Sequence, residues 1–133
     1  MRRITQKDYE AGDCGIACAA MIAGCTYDSA HKKALNLGLL RPDKTYYTSH
    51  ADLERLLLKL GVKCQRRRFA SLREVAVPAI VKVNPSQGGK YWHWIVLTSR
   101  AGKYVLLDPN PDRPGRIESF RGYKGGGFYL SAA

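Results

Sequence analysis

Asp13-Cys14-Gly15-Ile16-Ala17-Cys18-Ala19-Ala20-Met21-Ile22-Ala23-Gly24 is the stretch on which the fold turns. No charged residue occurs from Cys14 to Tyr27, and small side chains alternate with Ile16, Met21 and Ile22. A helix here is apolar all round and belongs in the middle of a domain. Asp13 reads as its N-cap and Gly24 as a left-handed C-cap, which puts Cys14 at the first helical position. A thiol there meets unpaired backbone amides and the positive end of the helix dipole, an environment that favours a thiolate and an adjacent oxyanion.

Outward from this stretch, Asp28 to Gly38 reads as a short helix with a thin apolar face, and Arg41-Pro42-Asp43-Lys44 as a turn. A stronger helix follows. Ser49 caps it, Asp52 completes a variant capping box, Leu53, Leu56, Leu57 and Leu60 fall on one face, and Gly61 ends it. The period then changes to that of strands: Val62 to Phe69, Val77 to Val83, Trp92 to Thr98, Tyr104 to Asp108, a short Arg116 to Phe120, and Phe128 to Leu130. Ser71-Leu72-Arg73-Glu74 predicts one helical turn among them. Helices first and an antiparallel sheet second is the α+β order, and residues 1–133 suit a single domain.

Lys and Arg number 22 against 11 Asp and Glu, giving a net charge of +11 that points to an acidic partner. The densest cluster is Arg66-Arg67-Arg68. No apolar run is long enough to cross a bilayer, and the residues after Met1-Arg2-Arg3 are not those of a signal peptide. A cytoplasmic location is therefore expected, with a phage-encoded or exported-effector role left open. The four cysteines do not form a disulfide framework for a chain of this length, so reduced thiols are expected.

A cysteine nucleophile needs a base, a group to orient that base, and donors for the developing oxyanion. His31, beside Lys32 and Lys33, and His50, in the first turn of its helix, read as surface residues. His93 begins an apolar strand between two tryptophans, where a polar ring needs a partner. A two-residue turn at Ala101-Gly102 pairs Arg100 with Lys103 and sets Asp108 opposite Ile95. Asp108 is then a diagonal neighbour of His93 across the hairpin, about 7 Å between backbone positions and within side-chain reach. The Cys14 amide is one oxyanion donor, and Gln6 carries the only side-chain amide before Cys14.

In order, Gln6, Asp13-Cys14-Gly15-Ile16-Ala17-Cys18, His93-Trp94-Ile95-Val96-Leu97 and Leu107-Asp108-Pro109 resemble the papain-like cysteine peptidases that process the double-glycine leader peptides of bacteriocins. The resemblance implies a papain-like fold with the cysteine-bearing helix packed on the C-terminal sheet. It also implies Cys14 as nucleophile, His93 as base, Asp108 as its orienting group and Gln6 in the oxyanion hole. Cleavage after small residues such as Gly-Gly is implied, with a peptide or protein substrate and no metal or cofactor. The eight positions from Gln6 to Cys14 exceed the spacing usual in that family, so Glu10-Ala11-Gly12 must bulge. Members are often fused to a membrane transporter, and this sequence has no such part.

Tyr91, Trp92 and Trp94 are candidates to wall the substrate cleft, and Cys18, one turn after Cys14, is expected to pack inward. The rival function is a basic module that binds nucleic acid or peptide without turnover, Arg66 to Arg68 meeting phosphates; no nucleic-acid reader motif accompanies it. A zinc site from Cys14, Cys18 and His93 lacks a second closely spaced ligand pair.

Overall fold

The computed structural model describes residues 1–133. Three helices, α1 (Cys14–Ala23), α2 (Tyr27–Asn36) and α3 (His50–Lys59), precede five strands: β1 (Gln65–Arg68), β2 (Ala79–Ser86), β3 (Tyr91–Arg100), β4 (Lys103–Leu107) and β5 (Gly125–Ser131). All strand pairs are antiparallel, in the order β1-β5-β2-β3-β4. The class is the α+β expected. No helix is long and apolar enough to cross a membrane.

The apolar α1 sits where its composition requires. Every residue from Cys14 to Met21 is buried, and Gly24 terminates the helix in the left-handed conformation (φ 68°). Its sheet-side neighbours are Ile80, Trp94, Val96 and Leu130, and Leu53, Leu56 and Leu57 of α3 close the same core. Gly15 permits this packing. A β-carbon there would lie 2.4 Å from Thr48 Oγ1 and 3.1 Å from both Leu53 Cδ2 and Trp94 Cδ1. The α3 capping box forms as read, with Ser49 accepting from the Asp52 amide and Asp52 from the Ser49 amide. In α2 the cap is Thr26, and only Ala30 and Ala34 are buried, in keeping with its thin apolar face.

The sheet is covered on both sides. Alternation sends Val81, Val83, Ile95, Leu97, Leu106 and Tyr129 to a second cluster on the face away from the helices, where the 69–77 segment and the 117–123 return pack. The β3–β4 hairpin has the expected register, Arg100 opposite Lys103 and Val96 opposite Leu107.

Four local readings are corrected. Asp13 occupies the N-cap position, but its side chain makes no capping bond. Ser71 likewise caps nothing in the 3-10 turn Leu72–Glu74. Arg116 to Phe120 is no strand; only Ile117 bridges, to Leu106, because Pro114 and the following turn interrupt pairing. The final strand runs Gly125–Ser131, longer than Phe128 to Leu130, because Gly125 pairs with Val83 of β2 and the Gly127 carbonyl accepts the Phe69 amide just past β1.

Candidate active site

A cleft of about 340 Å³ opens at the end of the sheet, where β3 begins, β4 ends and the first turn of α1 meets them. Gln6, Cys14, His93 and Asp108 all line it.

The hairpin register delivers the imidazole to the carboxylate. His93 Nε2 lies 2.7 Å from Asp108 Oδ1, the ring being 21% exposed and the carboxylate 3%. Asp108 also accepts the Asn110 amide on Oδ1 (2.8 Å) and the Tyr123 hydroxyl on Oδ2 (2.7 Å). Two opposing effects act on the ring. Burial disfavours its charge, but the hydrogen bond to Asp108 and the neighbouring Cys14 outweigh it, raising the pKa from 6.5 to about 9. Burial alone would raise the Asp108 pKa, but the His93 bond and charge, with the Asn110 amide and Tyr123 hydroxyl, hold it below 3.8. The same carboxylate, after burial, pushes the Tyr123 hydroxyl well above its ordinary range.

With Nε2 taken by Asp108, the remaining ring nitrogen, Nδ1, is the one free for a thiol. Cys14 is 4% exposed. It lies close enough to the ring to contribute to the rise in the His93 pKa, and in unliganded sites the contact between thiol and base often tightens only on substrate.

Gln6 reaches the cleft because the intervening loop folds back on itself. The Ala11 and Gly12 amides bond to the Asp8 and Tyr9 carbonyls, and Gly12 has φ 72°, with the Tyr47 ring 3.1 Å from where a β-carbon would lie. This is the bulge anticipated from the spacing. Asp13 is its hub: fully buried, it accepts from the Lys7 amide (2.8 Å), the Asp8 amide (3.1 Å), the Tyr27 hydroxyl (2.6 Å) and Gln6 Nε2 (3.3 Å). The Gln6 amide nitrogen keeps a second N–H. The Gln6 backbone amide bonds to the Pro109 carbonyl (2.8 Å), and Arg3 grips the carbonyls of Asp108 (2.8 Å) and Asn110 (2.7 Å). The N-terminal segment is thereby fastened to the loop that follows Asp108.

Tyr91 and Trp92 line the cleft as expected, but Trp94 does not. It turns inward instead, 1% exposed in the main core beneath α1, its indole N–H bonded to the Thr48 carbonyl (3.1 Å). Tyr47 completes the aromatic wall, its ring centroid 5.5 Å from Tyr91 and 6.2 Å from Trp92. His31 and His50, read as surface residues, are both engaged. His31 Nε2 is 2.7 Å from the Tyr46 hydroxyl, and His50 Nε2 is 2.8 Å from the Phe128 carbonyl, its ring edge-on to Trp94. Neither lines the cleft. Cys18 is fully buried, and all four cysteines are free thiols. Tyr123, Tyr27 and Tyr47 were not anticipated from the sequence, since each sits in or beside an irregular segment with no periodicity to orient it.

A comparison with protein families matches residues 3–119 to the peptidase C39 family. Among solved structures, the chain is similar to a double glycine motif protease from an AMS/PCAT transporter, crystallised in complex with the leader peptide. The identity is 19%, the TM-score 0.63, and the match covers 98% of this chain and 91% of that one. No curated protein sequence matches.

Proposed function

The chain belongs to the peptidase C39 family, a family of cysteine-type peptidases, and from that premise we propose that it cleaves peptides through Cys14, His93, Asp108 and Gln6. The observation that carries this reading is the convergence of the four residues, drawn from both ends of the chain, on one cleft.

The chemistry is thiol-mediated acyl transfer to water. His93 Nδ1 takes the Cys14 proton, and the raised imidazole pKa favours the resulting imidazolium beside a thiolate. The sulfur attacks the peptide carbonyl carbon. The oxyanion is held by the Cys14 backbone amide, which has no helical acceptor, and by the free N–H of Gln6; each such donor is worth about 3 kcal/mol in comparable sites. As the C–N bond breaks, the imidazolium protonates the departing amine, leaving a thioester on Cys14. Water deprotonated by His93 then hydrolyses the thioester and frees the thiol. Asp108, carrying three hydrogen bonds, keeps Nε2 protonated and the ring facing the thiol throughout.

The substrate is a peptide, cleaved after small residues such as Gly-Gly. A leader peptide occupies the similar double glycine protease, and the packed rings of Tyr47, Tyr91 and Trp92 narrow the approach to Cys14.

Digestion of a Gly-Gly-containing peptide library by wild type and Cys14→Ala tests the reading. Turnover is expected to vanish in the variant with the folded state kept, since a small buried residue replaces another. Cleavage that persists in Cys14→Ala refutes it.

A further inference from the structure

Most arginines of this chain have a partner. Arg66 pairs with Glu54 and Arg116 with Glu118, Arg68 and Arg73 lie over Phe128 and Phe120, and Arg41, Arg55 and Arg67 hydrogen-bond to nearby oxygens. Arg3 holds the Asp108 and Asn110 carbonyls. The side chains of Arg2, Arg100, Arg113 and Arg121 have none, and three of these four are gathered around one loop. Arg113 lines the cleft itself. Arg2 and Arg100 line a second pocket, of about 210 Å³, together with Arg3 and Arg116.

The two concavities share a wall. Asp108, Asn110 and Arg113 face the cleft, while Leu107, Gly115 and Arg116 from the same run of chain face the pocket. No carboxylate lines the pocket, where Thr98 and Ser99 add hydroxyl donors, and Asp108 is the only one in the cleft. The Asp108 carboxylate is already saturated by His93, Asn110 and Tyr123. Unpaired guanidiniums held around a concavity are a recognition surface for carboxylates, whose geometry they match two hydrogen bonds at a time. Clustered like charge also raises the local concentration of an oppositely charged ligand.

We propose that this pocket is an exosite for acidic side chains of the peptide substrate, met by the unpaired Arg2 and Arg100 with the charges of Arg3 and Arg116 beside them, and that Arg113 reads a carboxylate nearer the scissile bond. This rests on the peptidase reading and adds the substrate class to it: an acidic peptide that leaves the cleft over the 109–116 loop. The convergence also gives part of the +11 charge a task. Arg3 gives the exosite a mechanical link to catalysis, since one guanidinium both lines the pocket and holds the Asp108 carbonyl.

Three synthetic peptides share a central Gly-Gly and differ only in flanks: four glutamates before it, four glutamates after it, or glutamine throughout. Binding of each, fluorescently labelled, to Cys14→Ala is followed by anisotropy, and cleavage by wild type is followed in parallel. At low salt one glutamate peptide is expected to bind at least tenfold more tightly than the glutamine peptide and to show a matching gain in kcat/KM. About 0.5 M salt should erase both gains by screening. Arg100→Glu should bring the acidic-to-neutral ratio close to one, whereas Lys59→Gln, on the exposed end of α3, should leave the ratio as it was. Equal binding of all three peptides overturns the exosite, as does a preference that survives Arg100→Glu. The peptidase reading is judged separately, by whether wild type cleaves any of the three and Cys14→Ala none.

Discussion

Replacing Asp108 by asparagine tests the electrostatics of the cleft most directly, because the new side chain keeps the shape of the old one. Its carbonyl oxygen can still accept from His93 and Asn110 at the Oδ1 position, while Tyr123 loses a charged acceptor on Oδ2. What disappears is the negative charge that offsets the burial of the imidazole. In the wild type the folded-state pKa of His93 stands above its unfolded value, about 9 against 6.5. Stability from this ring is therefore fully present below pH 6.5 and is lost as the pH rises through 9. At about 1.4 kcal/mol per pKa unit the interval corresponds to roughly 3.5 kcal/mol, which screening of the partly exposed ring trims to about 2 kcal/mol. His50 does not enter this window, because burial holds its pKa below 6.5. Urea denaturation in steps from pH 6 to 9.5 should show wild type losing about 2 kcal/mol, and Asp108→Asn much less, with its imidazole NMR signal titrating below 6.5. Parallel stability curves, or a His93 signal that still titrates near 9 in the variant, would refute the reasoning.

Gln6→Ala should lower kcat by about a hundredfold to a thousandfold, the loss expected for one oxyanion donor, with KM little changed; a kcat within threefold of wild type removes Gln6 from the hole. Tyr27→Phe strips the shortest bond from Asp13 and should loosen the hold on Gln6, cutting kcat severalfold in wild type but not further in Gln6→Ala. Additive losses in that double-mutant cycle would show that Tyr27 does not act through Gln6. Gly15→Ala drives a methyl against Thr48 Oγ1, Leu53 and Trp94 and should cost about 1–3 kcal/mol, read as a lowered Tm; an unchanged Tm means the start of α1 can shift away.

Local rules carried α1, α3 and the β3–β4 hairpin. Caps and leucine spacing fixed the helices, and a two-residue turn left one register in which His93 and Asp108 could meet. They did not carry strand order, because nothing in the composition of β5 says that it enters between β1 and β2. The hub role of Asp13 was hidden by its position: before a helix, an aspartate reads as a cap, and only the folded-back loop, with Tyr27 from α2, brings four other donors to it. Alternation could not have separated Trp94 from Trp92, since the consecutive Tyr91, Trp92 and His93 all line the cleft where β3 begins, while Trp94, two residues further along, is buried in the main core. Tyr123, fifteen residues beyond Asp108 across an irregular segment, gave no signal at all.

The place of β5 also bears on timing. Residues 125–131 follow the other eight elements described above in the chain, yet they enter the sheet between β1 and β2, and β1 pairs with no other strand. A nascent chain that still lacks them has an open gap where two hydrogen-bonded edges should meet, and long-range pairings of this kind form late. Proteolytic competence should therefore arise only once residues 125–131 have left the ribosome and closed the gap between β1 and β2.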